Sequence, residues 1–226
     1  MLLALDTATR TISLALHDGQ SLAAEIAWRS HDHHTVELAP AVAQILDRAD
    51  LAPDRLKGIA VALGPGSFTG LRIGLALAKG LALAHNLPLV GVPTLDILAH
   101  AQPQRSEPML AVLQAGRGRV AVGRYSFERK GWRSEGEVQL YRWPELVNAI
   151  EQPTYVCGEL DEEGLAELRR LRGRVTLAPA FLSLRRAGVL AEMAWARLRA
   201  GQEDEAATLA PIYLRQESVV GDDPRH

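Results

Sequence analysis

Apolar residues over the first thirty positions come first as a run and then in alternation. LLALD (2–6) is continuous, TISLALHD (11–18) alternates, and Asp18-Gly19 leads into a second alternation that reaches Arg29. A continuous run suits a fully buried strand, alternation suits a strand with one face in the core, and Asp-Gly suits a tight hairpin. The pattern predicts an opening meander of two or three antiparallel strands. The period then lengthens: Val36, Ala39, Val42, Ala43, Ile45 and Leu46 recur at helical spacing within 33–48, with Pro40 in the first turn or at a kink. GIAVALG (58–64) reads as a short buried strand, LRIGLALAKGLALAH (71–85) as a helix and LPLVGV (87–92) as a further strand. That alternation predicts a crossover between parallel strands beside the meander.

The polar stretch AQPQRSEP (101–108), with two prolines, is the best boundary between subdomains, expected at 1–101 and 102–226. After it the pattern restarts. MLAVLQAG and RVAVGRYSFE predict a hairpin around GRGR (116–119). WPELVNAI, EEGLAELRRL and LRRAGVLAEMAWARLRA predict helices interleaved with the strands TYVCG and VTLAP. Strand meander plus alternating helices thus occurs twice, and GDDPRH at the end reads as a frayed tail.

Composition narrows the classes. With 226 residues, 47% apolar and 23% charged, the chain can bury a substantial core, while a net charge of −2 argues against a protein that grips nucleic acid alone. Cys157 is the only cysteine, so an intrachain disulfide and a thiolate zinc site are excluded and a reducing compartment, the cytoplasm, is expected. The N-terminal run meets Asp6 too early for a signal peptide, and the apolar stretch 73–84, broken by Lys79, is too short to span a bilayer, so no membrane association is expected.

Chemistry is sparse. Asp6, Thr7 and Thr9 end a buried strand in LALDTAT, where a carboxylate and hydroxyls hold either a phosphate and hydrated cation or simply local backbone. Gly64, Gly66 and Gly70 form GxGxxxG, one residue longer than the dinucleotide fingerprint and without the Gly-Lys-Ser/Thr of a phosphate loop. Ser67 or Thr69 is placed to cap the following helix, whose N-terminus favours an anion. Asp6, Thr7, Gly64, Gly66 and Ser67 are therefore the candidate nucleotide contacts. Within that helix Gly70, Gly74 and Ala78 make a stripe open to close backbone approach, and the rest is apolar on nearly every side, so the helix is either buried in its own domain or half exposed until a partner packs into the stripe. His31, His33 and His34 lack zinc spacing, and His34-Thr35 reads more simply as helix capping and packing. Cys157 reads as an inert core thiol, Ser67 lies outside a nucleophile elbow, and Glu162, Glu163, Glu203, Asp204 and Glu205 read as solvated. Arg117, Arg119 and Arg124 suit an exposed hairpin better than an RNA contact. No catalytic set and no metal set emerges.

LALDTAT, GPGSFTGLRIGLALAKGLAL (64–83) and PIYLR (211–215), with His34-Thr35 to Pro40, together resemble the TsaB (YeaZ) family. Its members belong to the bacterial machinery that installs threonylcarbamoyl on the adenosine beside the anticodon of tRNAs. The resemblance implies an α/β fold of the actin/Hsp70/sugar-kinase (ASKHA) type, with two related subdomains. It implies a noncatalytic dimerisation subunit supporting a TsaD-like transferase, joined by a TsaE-like ATPase and reaching tRNA only through the complex. A homodimer in isolation is also implied, with an interface drawn from Thr35, Leu38, Val42, Gly70, Leu71, Arg72, Gly74, Leu75, Ala78 and Leu81. No cofactor is expected to bind tightly, ATP and a divalent cation entering within the complex. Gln114-Ala115-Gly116 stands where the family carries Asp-Ala-Arg, with Arg119 and Ala121 at its Glu and Tyr positions. The competing class is an ATP-dependent small-molecule kinase or hydrolase of the same fold, with Asp6 organising the cation; a His-based metalloprotease is opposed by the absence of HExxH.

Overall fold

A computed structural model describes residues 1–30, 34–129 and 131–214. His31, His33, Arg215 and the expected frayed tail lie outside them. The opening meander forms as read: β1 (Leu2–Asp6), β2 (Thr11–His17) and β3 (Leu22–Arg29) pair antiparallel. β4 (Gly58–Gly64) and β5 (Leu89–Pro93) then add in parallel on the other side of β1, giving the order β3-β2-β1-β4-β5. The continuous apolar run makes β1 central, with every one of its residues buried. α1 (His34–Arg48) and α2 (Phe68–His85) cover one face, packing Leu38, Val42, Ile45, Leu75 and Ala82 on Leu3, Leu5 and Val61. α2 starts three residues before its expected position because Ser67 caps it, accepting from the Gly70 N–H at 3.2 Å. Pro40 sits inside α1 on its exposed side.

The second half repeats the plan. β6 (Met109–Gly116), β7 (Arg119–Glu128) and β8 (Gly131–Ser134) are antiparallel, β10 (Thr154–Gly158) joins β6 in parallel and β11 (Val175–Leu177) joins β10 in parallel, with β9 (Gln139–Tyr141) on β7. α4 (Trp143–Asn148) and α5 (Glu162–Arg169) cover one face through Trp143, Leu146 and Leu168. α3 (Thr94–His100) closes the other, with Leu95, Leu98 and Ala99 against Met109, Tyr125 and Tyr155.

The expected boundary of 102–226 for the second subdomain needs correction at its far end. α6 (Ala187–Arg199) returns to the first sheet, where Ala187, Leu190, Ala191 and Ala194 pack on Leu2, Ala4, Ala60 and Val90. The three alanines let the helix lie close on the sheet, and Arg197 and Asp204 then fasten it: Asp204 accepts from the Gly91 N–H at 2.7 Å and from Arg197 at 3.1 Å. Asp204 is thus a structural pin and not a solvated charge. Ile212 ends the return by donating its N–H to the Leu63 carbonyl at 2.7 Å. No helix among the described residues is long and apolar enough to cross a membrane.

Candidate functional site

Parallel strands that share one sheet direct their C-terminal ends, and the loops that follow, to one edge. The turn after β1 and the loop after β4 share such an edge of the first sheet, and across from them the segment after β10, at the same end of its strand in the second sheet, completes a cleft of about 940 Å³, whose lining includes Thr9, Arg29, His34, Ser67, Gln114, Glu159 and Asp161. The two halves of the chain meet there.

Asp6 is completely buried beneath this cleft. Its Oδ1 accepts from the Ala8 N–H at 2.9 Å, and its Oδ2 accepts from Arg185 Nε at 3.0 Å. Arg185, just before α6, is 2% exposed. Its Nη1 donates to Glu159 Oε1 at 2.7 Å and its Nη2 to Thr9 Oγ1 at 2.6 Å. Burial alone would lower the pKa of this guanidinium, but the Asp6 and Glu159 carboxylates raise it above its ordinary value, so it stays charged. Thr9 in turn donates to Glu159 Oε1 at 2.6 Å, and the Gln114 N–H donates to Glu159 Oε2 at 3.1 Å. Gln114 Nε2 also donates to Asp161 at 3.1 Å. An aspartate at 114 would set a third carboxylate against Glu159 and Asp161; the neutral amide fits both.

Of the remaining nucleotide candidates, Gly66 and Ser67 line the cleft, and Thr7, Gly64 and the Ser67 backbone are bonded within their own chain. Thr7 Oγ1 donates to the Gly70 carbonyl at 2.8 Å, the Gly64 N–H donates to Thr94 Oγ1 at 2.9 Å, and the Ser67 N–H is taken by the Ala8 carbonyl. Gly64 has φ +114°, and a Cβ there would meet the Ile212 carbonyl oxygen at 2.6 Å, so glycine is required. A divalent cation needs oxygen ligands free to turn to it, and a carboxylate already neutralised by a cation is a poor one. Both oxygens of Asp6 are engaged and a fixed positive charge stands beside them, so the residues present do not fit a cation held at Asp6.

The glycine stripe of α2 faces inward, which corrects its reading as a notch for a partner. A Cβ on Gly70 would overlap the Thr7 carbonyl oxygen, and one on Gly74 would overlap Thr7 Oγ1, so both glycines are spent on letting α2 cross the β1 turn. Leu38, Val42, Leu71, Leu75 and Ala78 are also buried in the chain's own core. Of the expected interface residues, Thr35 and Arg72 are exposed and Leu81 is half-buried. Arg72 stacks 3.5 Å from the Phe68 ring and donates to Tyr213 OH at 2.9 Å, tying the PIYLR segment to α2. Other positions of the same two helices are exposed: Val36 at 65% and Leu83 at 73%, together with Ala39, Ala43, Ala76 and Gly80. Nothing lies within 4 Å of a Cβ built on Gly80.

Cys157 is buried and its thiol pushed up to about 12 by that burial, and His34 Nε2 lies 2.9 Å from the Thr9 carbonyl oxygen. Arg117 is at the exposed hairpin tip and Glu162 and Glu163 lie exposed in the first turn of α5. Among the described residues no group of three His, Cys, Asp or Glu could hold a metal ion. Arg185 and Glu159, which organise the cleft, carried no signal in the sequence: nothing in the pair Arg185-Arg186 tells which side chain turns inward.

Residues 25–148 match the family model described as TsaD, tRNA N6-adenosine threonylcarbamoyltransferase. The tRNA threonylcarbamoyladenosine biosynthesis protein TsaB of Bacillus subtilis is 31% identical over 95% of this chain and 93% of its own length. YeaZ from Pseudomonas aeruginosa superposes with a TM-score of 0.77 at 32% identity, covering 94% of this chain and 99% of that one. The activator of the 2-hydroxyisocaproyl-CoA dehydratase from Clostridium difficile, solved with ADPNP, shares the fold alone at a TM-score of 0.50 and 9% identity. The fold is of the actin/Hsp70/sugar-kinase type, and with this extent of likeness in sequence and in structure the chain belongs to the TsaB family.

Proposed function

We propose that this chain is a noncatalytic dimerisation subunit of the tRNA threonylcarbamoyladenosine synthesis complex, acting in the cytoplasm by holding a TsaD-like transferase. The name of its relatives supplies the pathway, and the outward face of α1 and α2 is the observation that carries the role. Val36, Leu83, Ala76 and Gly80 leave an apolar surface with a small-residue notch. Burying such a surface against another helix releases water at roughly 25 cal/mol per Å². The same face serves a homodimer when the transferase is absent. A TsaE-like ATPase joins the assembled pair, tRNA is reached only through the complex, and ATP and its divalent cation enter with those partners.

The test is a pull-down with the host's transferase, followed by a reconstituted threonylcarbamoyl transfer assay with and without this chain. Binding and chain-dependent transfer are expected from wild type, and loss of both from Gly80→Leu, which fills the notch without touching the core. Transfer that proceeds equally well without the chain refutes the role; binding undiminished in Gly80→Leu refutes the surface.

A further inference from the structure

We propose that Arg185 is a tethered cation that locks the two halves of the cleft together and bars a metal–nucleotide from Asp6. Three oxygens, Asp6 Oδ2, Glu159 Oε1 and Thr9 Oγ1, converge on one guanidinium at 3.0, 2.7 and 2.6 Å. They arrive from different parts of the chain. Asp6 and Thr9 flank the first turn of the first sheet, Glu159 follows β10 of the second sheet, and Arg185 leads α6 back onto the first sheet. In sequence, Arg185 lies 179 positions from Asp6 and 26 from Glu159. A mobile divalent ion between such oxygens would come and go with its ligand, whereas a guanidinium fixed to the backbone stays. The bond to Glu159 therefore makes a standing link across the cleft.

Burial makes this link decisive. Asp6 and Arg185 are both removed from water, so neither charge is stable without the other, and parting them is strongly unfavourable. Glu159 is only partly buried, its side chain 24% exposed, so the limb reaching the second sheet is the weaker one and can be cut by itself. The Gln114 N–H and the Thr9 hydroxyl hold Glu159 in register for Arg185. The inference concerns the cleft alone and stands whether or not the chain serves the complex proposed above.

Spin labels on Thr69→Cys and Glu162→Cys, exposed on opposite sides of the cleft, read its width, since buried Cys157 does not label. The labelled parent should give one narrow distance population that Mg²⁺ with ATP leaves in place. Glu159→Gln should add a second, longer population, because the amide keeps the shape and neutral hydrogen bonds but loses the charge, while the Asp6–Arg185 pair keeps the first half folded. Wild type titrated with Mn²⁺ and ATP should show no stoichiometric bound Mn²⁺ signal in electron paramagnetic resonance. A Glu159→Gln distribution that overlays the parent, a parent distance that shifts with Mg²⁺ and ATP, or one Mn²⁺ bound per wild-type chain overturns the proposal.

Discussion

Replacing Gly74 and Gly80 by alanine, one at a time, separates the two faces of α2. Each change removes a helix glycine, which by itself favours the helix by about 1 kcal/mol. At Gly80 the new methyl meets nothing within 4 Å, so that gain is kept. For a chain of this size 1 kcal/mol moves the melting temperature by roughly 2–4 °C, upward here. At Gly74 the methyl lands on Thr7 Oγ1, which is fixed by its bond to the Gly70 carbonyl and by complete burial. Overpacking of this kind costs about 1–3 kcal/mol. Displacing the hydroxyl forfeits a further ~1 kcal/mol of hydrogen bonding. The propensity gain offsets only part of this, leaving Gly74→Ala destabilised by about 1–3 kcal/mol and melting lower than wild type. Thermal melts followed by circular dichroism on the two variants and the parent decide the matter. A Gly74→Ala protein as stable as Gly80→Ala would mean that the stripe does not press on the β1 turn, and the inward assignment of α2 would fail.

Two further outcomes follow from ionisation. The Cys157 thiol, raised to about 12 by burial, should resist a thiol reagent at pH 8 in the native protein and react fully only once denaturant exposes it. Rapid native reaction would contradict its place in the core. The Asp18 carboxylate, lowered from 3.8 to about 2 by the N–H groups of Ser21 and Gln20 and by the Ser21 hydroxyl, should titrate near that lower value by carboxyl-detected NMR. Because its folded pKa lies below its unfolded one, the hairpin gains stability above the ordinary carboxylate range and loses it as pH falls from about 4 towards 2. A midpoint near 3.8 would show that the turn is not held this way.

Much of the fold was legible because alternation and helical period are local. The two meanders, the crossover strands and α1, α2, α5 and α6 follow from them. α3 was not, since seven residues between a strand and a polar loop give barely two turns of pattern, and β8 and β9, at four and three residues, are shorter still. The glycine stripe shows the limit more sharply. Spacing revealed that Gly70, Gly74 and Ala78 share one side of a helix, yet whether that side meets Thr7 or a partner is a tertiary question. The same holds for the cleft: Asp6 was visible as a carboxylate at a strand end, but its guanidinium comes from a position 179 residues away.

The return of α6 to the first sheet bears on how the protein is made. Emerging from the ribosome, β1, β4 and β5 can assemble with α1 and α2, but the face that receives Leu190 and Ala194 stays uncovered until residues 187–199 have been synthesised. Contacts of such long range form slowly, and an unfinished sheet is prone to aggregate. A chain cut short before residue 187 would therefore deprive the N-terminal half of its second layer, and nascent chains of that length are where chaperone demand should concentrate.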